Sequence, residues 1–226
     1  MAQLLSVNLA HPHSADYTAA SFTGIDKRPA PGRVAVFAPG SIGTAGSGVA
    51  GDAIGDLRDH GGDDQAVYAF AREDLDFWER ELGRALSNGI FGENLTTSGL
   101  DVGGALIGER WRIGEGVVLE VTSARIPCRT FAGWLGEQGW VKRFTQAARP
   151  GAYLRVVEPG EIGAGDGVEV VFRPAHEVTV ELLFRALTTE AELLPRVLDA
   201  GDALNRVSAE KVHRRLEAGA GSSRSS

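Results

Sequence analysis

The stretch Val117-Val-Leu-Glu-Val-Thr-Ser-Ala-Arg-Ile-Pro-Cys-Arg129 carries the two signals on which the fold and the chemistry of this chain turn. Val117–Thr122 is a short apolar run of strand character, and Pro127 fixes the backbone immediately before Cys128. Six further runs of the same kind lie on either side: Leu4–Leu9, Arg33–Phe37, Ala66–Phe70, Leu106–Ile113, Ala152–Val157 and Val168–Phe172. Turn residues bound most of them, as in Pro31-Gly32, Ala38-Pro39-Gly40 and Gly165-Asp166-Gly167. Two helical patterns interrupt. Leu75, Trp78, Leu82 and Leu86 fall at helical spacing within Arg72–Leu86, and a weaker pattern runs over Gly133–Ala148 with Trp134, Trp140 and Phe144. Strand after strand at short intervals predicts a barrel or a packed pair of sheets.

From His176 to Glu217 the pattern turns helical, in three segments: Thr179–Leu187, Thr189–Ala200 and Ser208–Glu217. Thr189 followed by Glu192 has the spacing of a capping box, Gly201 stands where a helix stops, and Ser208 can cap the third segment. Three short helices bury little apolar surface alone, so they are expected to dock on the β part. The expected class is mainly β with α: a β domain over residues 1–174, a small three-helix domain over 175–217 and a small, polar, disordered tail over 218–226.

The length of 226 residues allows a sizeable core in one or two domains. The 30 glycines are about 13% of the chain against a typical ~7%, which suits many turns and short strands. Lys and Arg number 23 against 30 Asp and Glu, and the resulting net charge of −7 argues against general binding of nucleic acid or anionic membranes. A single cysteine excludes an internal disulfide and a multi-thiolate zinc site. No apolar run reaches the length of a membrane span and the first residues lack the order of a signal peptide, so a soluble, cytoplasmic protein is expected.

Four segments invite a chemical reading. Gly40-Ser-Ile-Gly-Thr-Ala-Gly-Ser-Gly48 lacks the Gly-Lys-Ser/Thr ending of a phosphate loop and no strong helix pattern follows, so it reads as a flexible loop. Arg125 and Arg129 flank Cys128, and nearby cations favour the thiolate, the form that attacks electrophiles or binds metal; an inert buried cysteine is the alternative. His60-Gly61-Gly62 lets backbone N–H groups approach a ligand beside an imidazole, or forms a plain turn before a strand. Glu93 and Asn94, side by side in Phe91-Gly-Glu-Asn-Leu95, suit a ring edge with both donors and acceptors, or tie two loops together. Lys27, Arg28, Arg125, Arg129, Arg149 and Arg155 would bind an anionic ligand wherever several of them converge.

Taken in order, these segments resemble the MOSC family, the domain named after the C-terminal part of molybdenum-cofactor sulfurases. The matching pieces are Gly24-Ile-Asp-Lys-Arg-Pro29, Gly51-Asp52, Asp56, His60-Gly-Gly62 with Ala66-Val-Tyr68, and Phe91-Gly-Glu-Asn-Leu95. Ile107-Gly-Glu, Leu119-Glu-Val-Thr122, Arg125-Ile-Pro-Cys128 and Gly151-Ala-Tyr-Leu-Arg-Val156 complete the series, which covers residues 22–172. The helical tail is similar to the three-α domain of stand-alone bacterial members of the hydroxylaminopurine-resistance type. The resemblance implies a MOSC-type β-barrel that binds molybdenum cofactor, with Cys128 as the sulfur ligand to the metal. Lys27, His60, Gly61, Gly62, Glu93, Asn94 and Arg125 would then line the cofactor pocket, and His60 or Asp56 would deliver a proton beside Cys128.

The implied activity is reduction of small N-hydroxylated substrates, N–OH to N–H. With no pyridoxal-phosphate domain expected ahead of the barrel, the chain does not read as a complete cofactor sulfurase. It lacks room for flavin or iron–sulfur modules and one cysteine holds no cluster, so electrons are expected from a separate electron-transfer protein. The other readings are a carrier of molybdenum cofactor or sulfur without its own turnover, and a metal-free reactive thiol at Cys128. A homodimer is compatible with the helical tail. DNA binding by that tail is disfavoured by its mixed local charge.

Overall fold

The computed structural model describes residues 1–222. Ten strands form: β1 (Gln3–Ala10), β2 (Lys27–Pro29), β3 (Val34–Val36), β4 (Val67–Ala71), β5 (Leu95–Ser98), β6 (Arg110–Ile113), β7 (Val117–Ala124), β8 (Ala152–Glu158), β9 (Gly160–Ile162) and β10 (Val168–Phe172). Eight of them make one sheet in the order β10-β6-β7-β8-β4-β5-β1-β2, and β3 pairs with β9 in a small second sheet. The neighbouring strands are antiparallel except β4 and β5. A parallel pair needs a crossover, which helix α1 (Arg72–Leu82) supplies. The sheet rolls until the start of β1 reaches the turn before β10, where Gln3 bridges Gly167, Leu4 N donates to Asp166 O at 2.8 Å and Gly165 N donates to Leu4 O at 2.8 Å. One bridge and its flanking bonds join these ends instead of a strand ladder. The expected barrel is therefore a rolled mixed sheet with an incompletely paired seam.

The helices on this sheet follow the sequence with informative differences. α1 stops at Gly83, which takes the left-handed conformation (φ 65°), short of the expected Leu86. The pattern over Gly133–Ala148 splits into α2 (Arg129–Leu135) and α3 (Trp140–Ala147), because Gly136 and Gly139 both adopt φ near 67°. Their inner faces join Trp78 of α1 and Phe91 in an aromatic core: Trp78 lies 4.6 Å from Trp140 between centroids, and Phe91 lies 5.1 Å from both Phe131 and Phe70. This core supports the start of α2, where Cys128 sits as the capping residue. β2, β5 and β9 have no clear sequence signature. β5 reads Leu-Thr-Thr-Ser, yet Thr96 and Thr97 are buried through strand pairing.

At the C-terminal end, α4 (Val180–Thr188) is capped by Thr179, whose Oγ1 accepts from Leu182 N at 3.0 Å. A broken turn-helix follows, with α5 (Leu194–Val197) between two 3₁₀ turns and a kink at Gly201. Thr189 and Glu192 form no capping box: Thr189 closes α4, and Glu190 pairs with Arg185 at 2.6 Å. α6 (Arg206–Ser222) is capped by Asn205, not by Ser208; Ser208 N donates to Asn205 Oδ1 at 2.7 Å. The helices dock on the sheet as expected, with Ile107 N donating to Val178 O (2.9 Å) and Asn205 Nδ2 to Ser123 Oγ (3.0 Å). Residues 218–222 of the expected disordered tail continue α6; residues 223–226 lie outside the described residues.

Candidate functional site

Where β7 ends, Arg125-Ile-Pro-Cys128 leads into α2 and brings Cys128 to a cavity of about 270 Å³. The cavity gathers Lys27 from β2, Asp52, Asp56, His60 and Gly61 from the long loop before β4, Asn94 from the turn before β5, and Arg125 and Cys128. Seven of the nine residues expected at the site line it, all but Gly62 and Glu93, and Asp52 joins them as the residue that organises the floor. Its side chain is almost fully buried; Oδ2 accepts from Lys27 Nζ and from Asn94 Nδ2 (2.8 Å), and Oδ1 accepts from Ala10 N (3.0 Å). Burial pushes the Lys27 ammonium down from the usual lysine range, and Asp52 opposes that shift. Asn94 also accepts from Tyr68 N at 3.1 Å, so the carboxamide is locked between the floor and β4.

Arg125 is buried and needs partners for its charge. Its Nη1 donates to Phe91 O, and the guanidinium lies over the rings of Phe131 (4.1 Å) and Tyr68 (5.0 Å). Burial pushes the Cys128 thiol up, but a hydrogen bond with His60 and the charge of Arg125 outweigh it and bring the pKa from an ordinary 9.0 down to about 7. About half of the thiol is thereby ionised at neutral pH. These two neighbours favour the thiolate over the thiol of an inert buried cysteine.

Glu93 and Gly62 do not reach the cavity. Glu93 is fully buried and ties its own turn: Oε1 accepts from Gly89 N (2.5 Å) and Thr96 Oγ1 (2.9 Å), and Oε2 accepts from Phe91 N (3.0 Å). Gly62 faces the Gly-rich segment, where an added methyl would come within 2.5 Å of Ile42 N. That segment is docked instead of loose: Gly43 N donates to Leu57 O (3.0 Å), Gly62 N to Gly46 O (3.1 Å) and Asp63 N to Gly40 O (2.7 Å). It backs the His60 turn, which supplies the role the sequence left open. Asp56 lines the cavity, but hydrogen bonding from Arg58 holds its carboxyl below the usual range, so it is an acceptor at neutral pH.

Of the six candidate cations, Lys27, Arg125 and Arg129 converge on the cavity. Arg28 pairs with Asp26, Arg149 with Asp74, and Arg155 with Asp64 and Glu120. The remaining wall was not legible in sequence. Tyr17 and Phe22 come from a segment with no periodicity, and Gln65 lines the cavity with a buried Oε1 that has no partner among the described residues.

The MOSC domain model matches residues 56–169, half of the chain, including the His60 turn and Cys128. The chain belongs to the MOSC domain family. Within the family, YflK of Bacillus subtilis (strain 168) is 35% identical over 195 residues, covering 86% of this chain and 84% of YflK. A protein named "Reductase" from Gibberella moniliformis is 28% identical over 161 residues; the match takes in 69% of this MOSC protein but 28% of that relative's length. The crystal structure of YiiM from Geobacillus stearothermophilus superposes with a TM-score of 0.76 at 25% identity, covering 96% of this chain and all of that one. Its agreement extends the likeness beyond the matched domain to the C-terminal helices.

Proposed function

We propose that this MOSC protein binds molybdenum cofactor through Cys128 and reduces small N-hydroxylated compounds, N–OH + 2e⁻ + 2H⁺ → N–H + H₂O, in the cytoplasm with electrons from a separate protein. The observation that carries the reading is the convergence of a thiol of lowered pKa, His60 and three cations on one cavity. The residues fit such a group. A thiolate is a soft donor suited to a soft, sulfur-ligated metal. Among the described residues no cluster of three or more His, Cys, Asp or Glu has metal-holding geometry, so a metal bonded to Cys128 fits as part of a group that carries its other ligands. Lys27, Arg125 and Arg129 suit its anionic portions, and the unpartnered Gln65 Oε1 offers an acceptor to a ring N–H.

When bound, the cofactor supplies the two-electron oxygen-removal chemistry. The chain supplies the rest. Cys128 anchors, the Asp52-organised floor orients, and His60 is the group placed to move a proton, because its imidazole already shares a hydrogen bond with Cys128 while Asp56 is held as a carboxylate. The test is molybdenum and pterin content after purification from a host that makes the cofactor, wild type beside Cys128→Ala. Near-stoichiometric molybdenum lost in the variant supports the reading, and its absence from wild type refutes it. Molybdenum bound without turnover of an N-hydroxylated substrate and a supplied electron donor would make the protein a carrier.

A further inference from the structure

We propose that Tyr17 is a specificity-determining residue that sets the width of the opening to Cys128; the proposal rests on the reading of this cavity as the functional site. Tyr17 lies in residues 11–26, a segment between β1 and β2 that closes on itself. His13 N donates to Thr23 O (3.2 Å), Thr23 N to His13 O (2.8 Å) and His11 N to Asp26 O (2.7 Å). The intervening residues form a compact loop with fixed ends, and Tyr17, Ala19 and Phe22 on it line the same cavity as Cys128.

Three attachments hold the Tyr17 side chain and its loop to α2, the helix that begins at Cys128. The Tyr17 hydroxyl hydrogen-bonds with His13 Nε2 at 2.9 Å, and the His13 ring packs on Trp134 at 5.7 Å between centroids. Trp134 is itself fixed by donating Nε1–H to Ile90 O at 2.7 Å. Gly133 provides the seat: a methyl there would overlap the Tyr17 Cβ and ring, so the absence of a side chain is what lets the tyrosine lie this close. Arg129 Nη2 reaches Asp16 O at 3.5 Å. Tyr17 and Cys128 are therefore both referenced to one helix, which fixes their relative placement at the cavity.

The two sides differ chemically. Lys27, Asp52 and Arg125 make the floor charged and hydrogen-bonded, whereas Tyr17 and Phe22 offer rings on the outer wall. A ligand presents its polar end to the floor and its body to the aromatic wall, so this wall discriminates by the bulk and shape of the body.

The experiment uses the fact that Cys128 is the single thiol, so alkylation reports on this opening alone. The full chain, made in a host without the cofactor, is reacted with N-ethylmaleimide and with N-(1-pyrenyl)maleimide, which share a reactive group and differ in bulk. Tyr17→Ala should raise the pyrenyl rate about five-fold or more while the ethyl rate stays within about two-fold. Tyr17→Phe keeps the ring and should leave the ratio of the two rates unchanged. Ala19→Trp, at an exposed position on the same wall, should lower the ratio and serves where Tyr17→Ala does not fold. An unchanged ratio in Tyr17→Ala and Ala19→Trp, or equal acceleration of both probes in Tyr17→Ala, overturns the proposal. The labelling needs no molybdenum, so failure here and failure of the cofactor reading are separate results.

Discussion

His60→Ala is the perturbation that most directly tests how the site is built. In wild type the His60 hydrogen bond and Arg125 hold the Cys128 thiol at about 7 against burial, from an ordinary 9.0. At pH 7 a group with pKa 7 is about 50% ionised, and one restored to 9.0 is about 1% ionised, a difference of about 50-fold in thiolate. The thiolate of higher pKa is the better nucleophile, by about 6- to 10-fold over two units at a Brønsted slope of about 0.4–0.5. Full loss of the shift would thus slow alkylation at pH 7 by about 5- to 8-fold and speed it by about 6- to 10-fold where both thiols are ionised. Arg125 remains in the variant and still opposes burial, so the midpoint should rise from about 7 and these figures mark the scale of the effect. The assay is the rate of iodoacetamide reaction from pH 5.5 to 10.5. Wild type should show a midpoint near 7 and the two profiles should cross. A variant profile that coincides with wild type, or a wild-type midpoint at the ordinary value, would refute the assignment of His60 as the group that ionises Cys128.

Glu93→Gln should destabilise the fold by about 1–3 kcal/mol in urea denaturation, because either amide orientation turns an N–H toward a donor, Gly89 N or Phe91 N, in a fully buried turn. The wild-type Cys128 alkylation midpoint should survive in the folded variant, since Glu93 lies outside the cavity; a strong rise would return it to the site. Gly62→Ala places a methyl against Ile42 N at φ 76° and should displace the Gly-rich segment from the His60 turn. The expected result is a loss of about 1–3 kcal/mol together with a raised Cys128 midpoint; a stable protein with an unchanged midpoint would show that this segment does not back His60.

Much of the candidate site was legible because its residues carry chemistry in their types. A cysteine between two arginines after a proline, a histidine before two glycines and a lysine in an acidic chain each marked a position that the fold brings to one cavity. Adjacent residues could not be told apart on that basis. Glu93 and Asn94 are neighbours, yet Asn94 joins the cavity floor while Glu93 turns back on its own loop, since each side chain is directed by backbone conformation and by its distant partners. Asp52 is quoted in the sequence only as part of a motif match, and Tyr17 not at all, for a related reason: their roles depend on Lys27 and on Gly133, far away along the chain.

The sequence by itself determined seven of the ten strands, the helical C-terminal region and the chemical identity of the thiol, because periodicity, turn residues and cysteine count are local properties. It overextended helices where single glycines took left-handed conformations, and it left the closure of the barrel open, since strand order and seam pairing are non-local. Only the tertiary structure decided which cations converge on the cavity and which neighbours lower the pKa of the thiol. Those properties come from through-space distances and desolvation, which act between residues brought together only by folding.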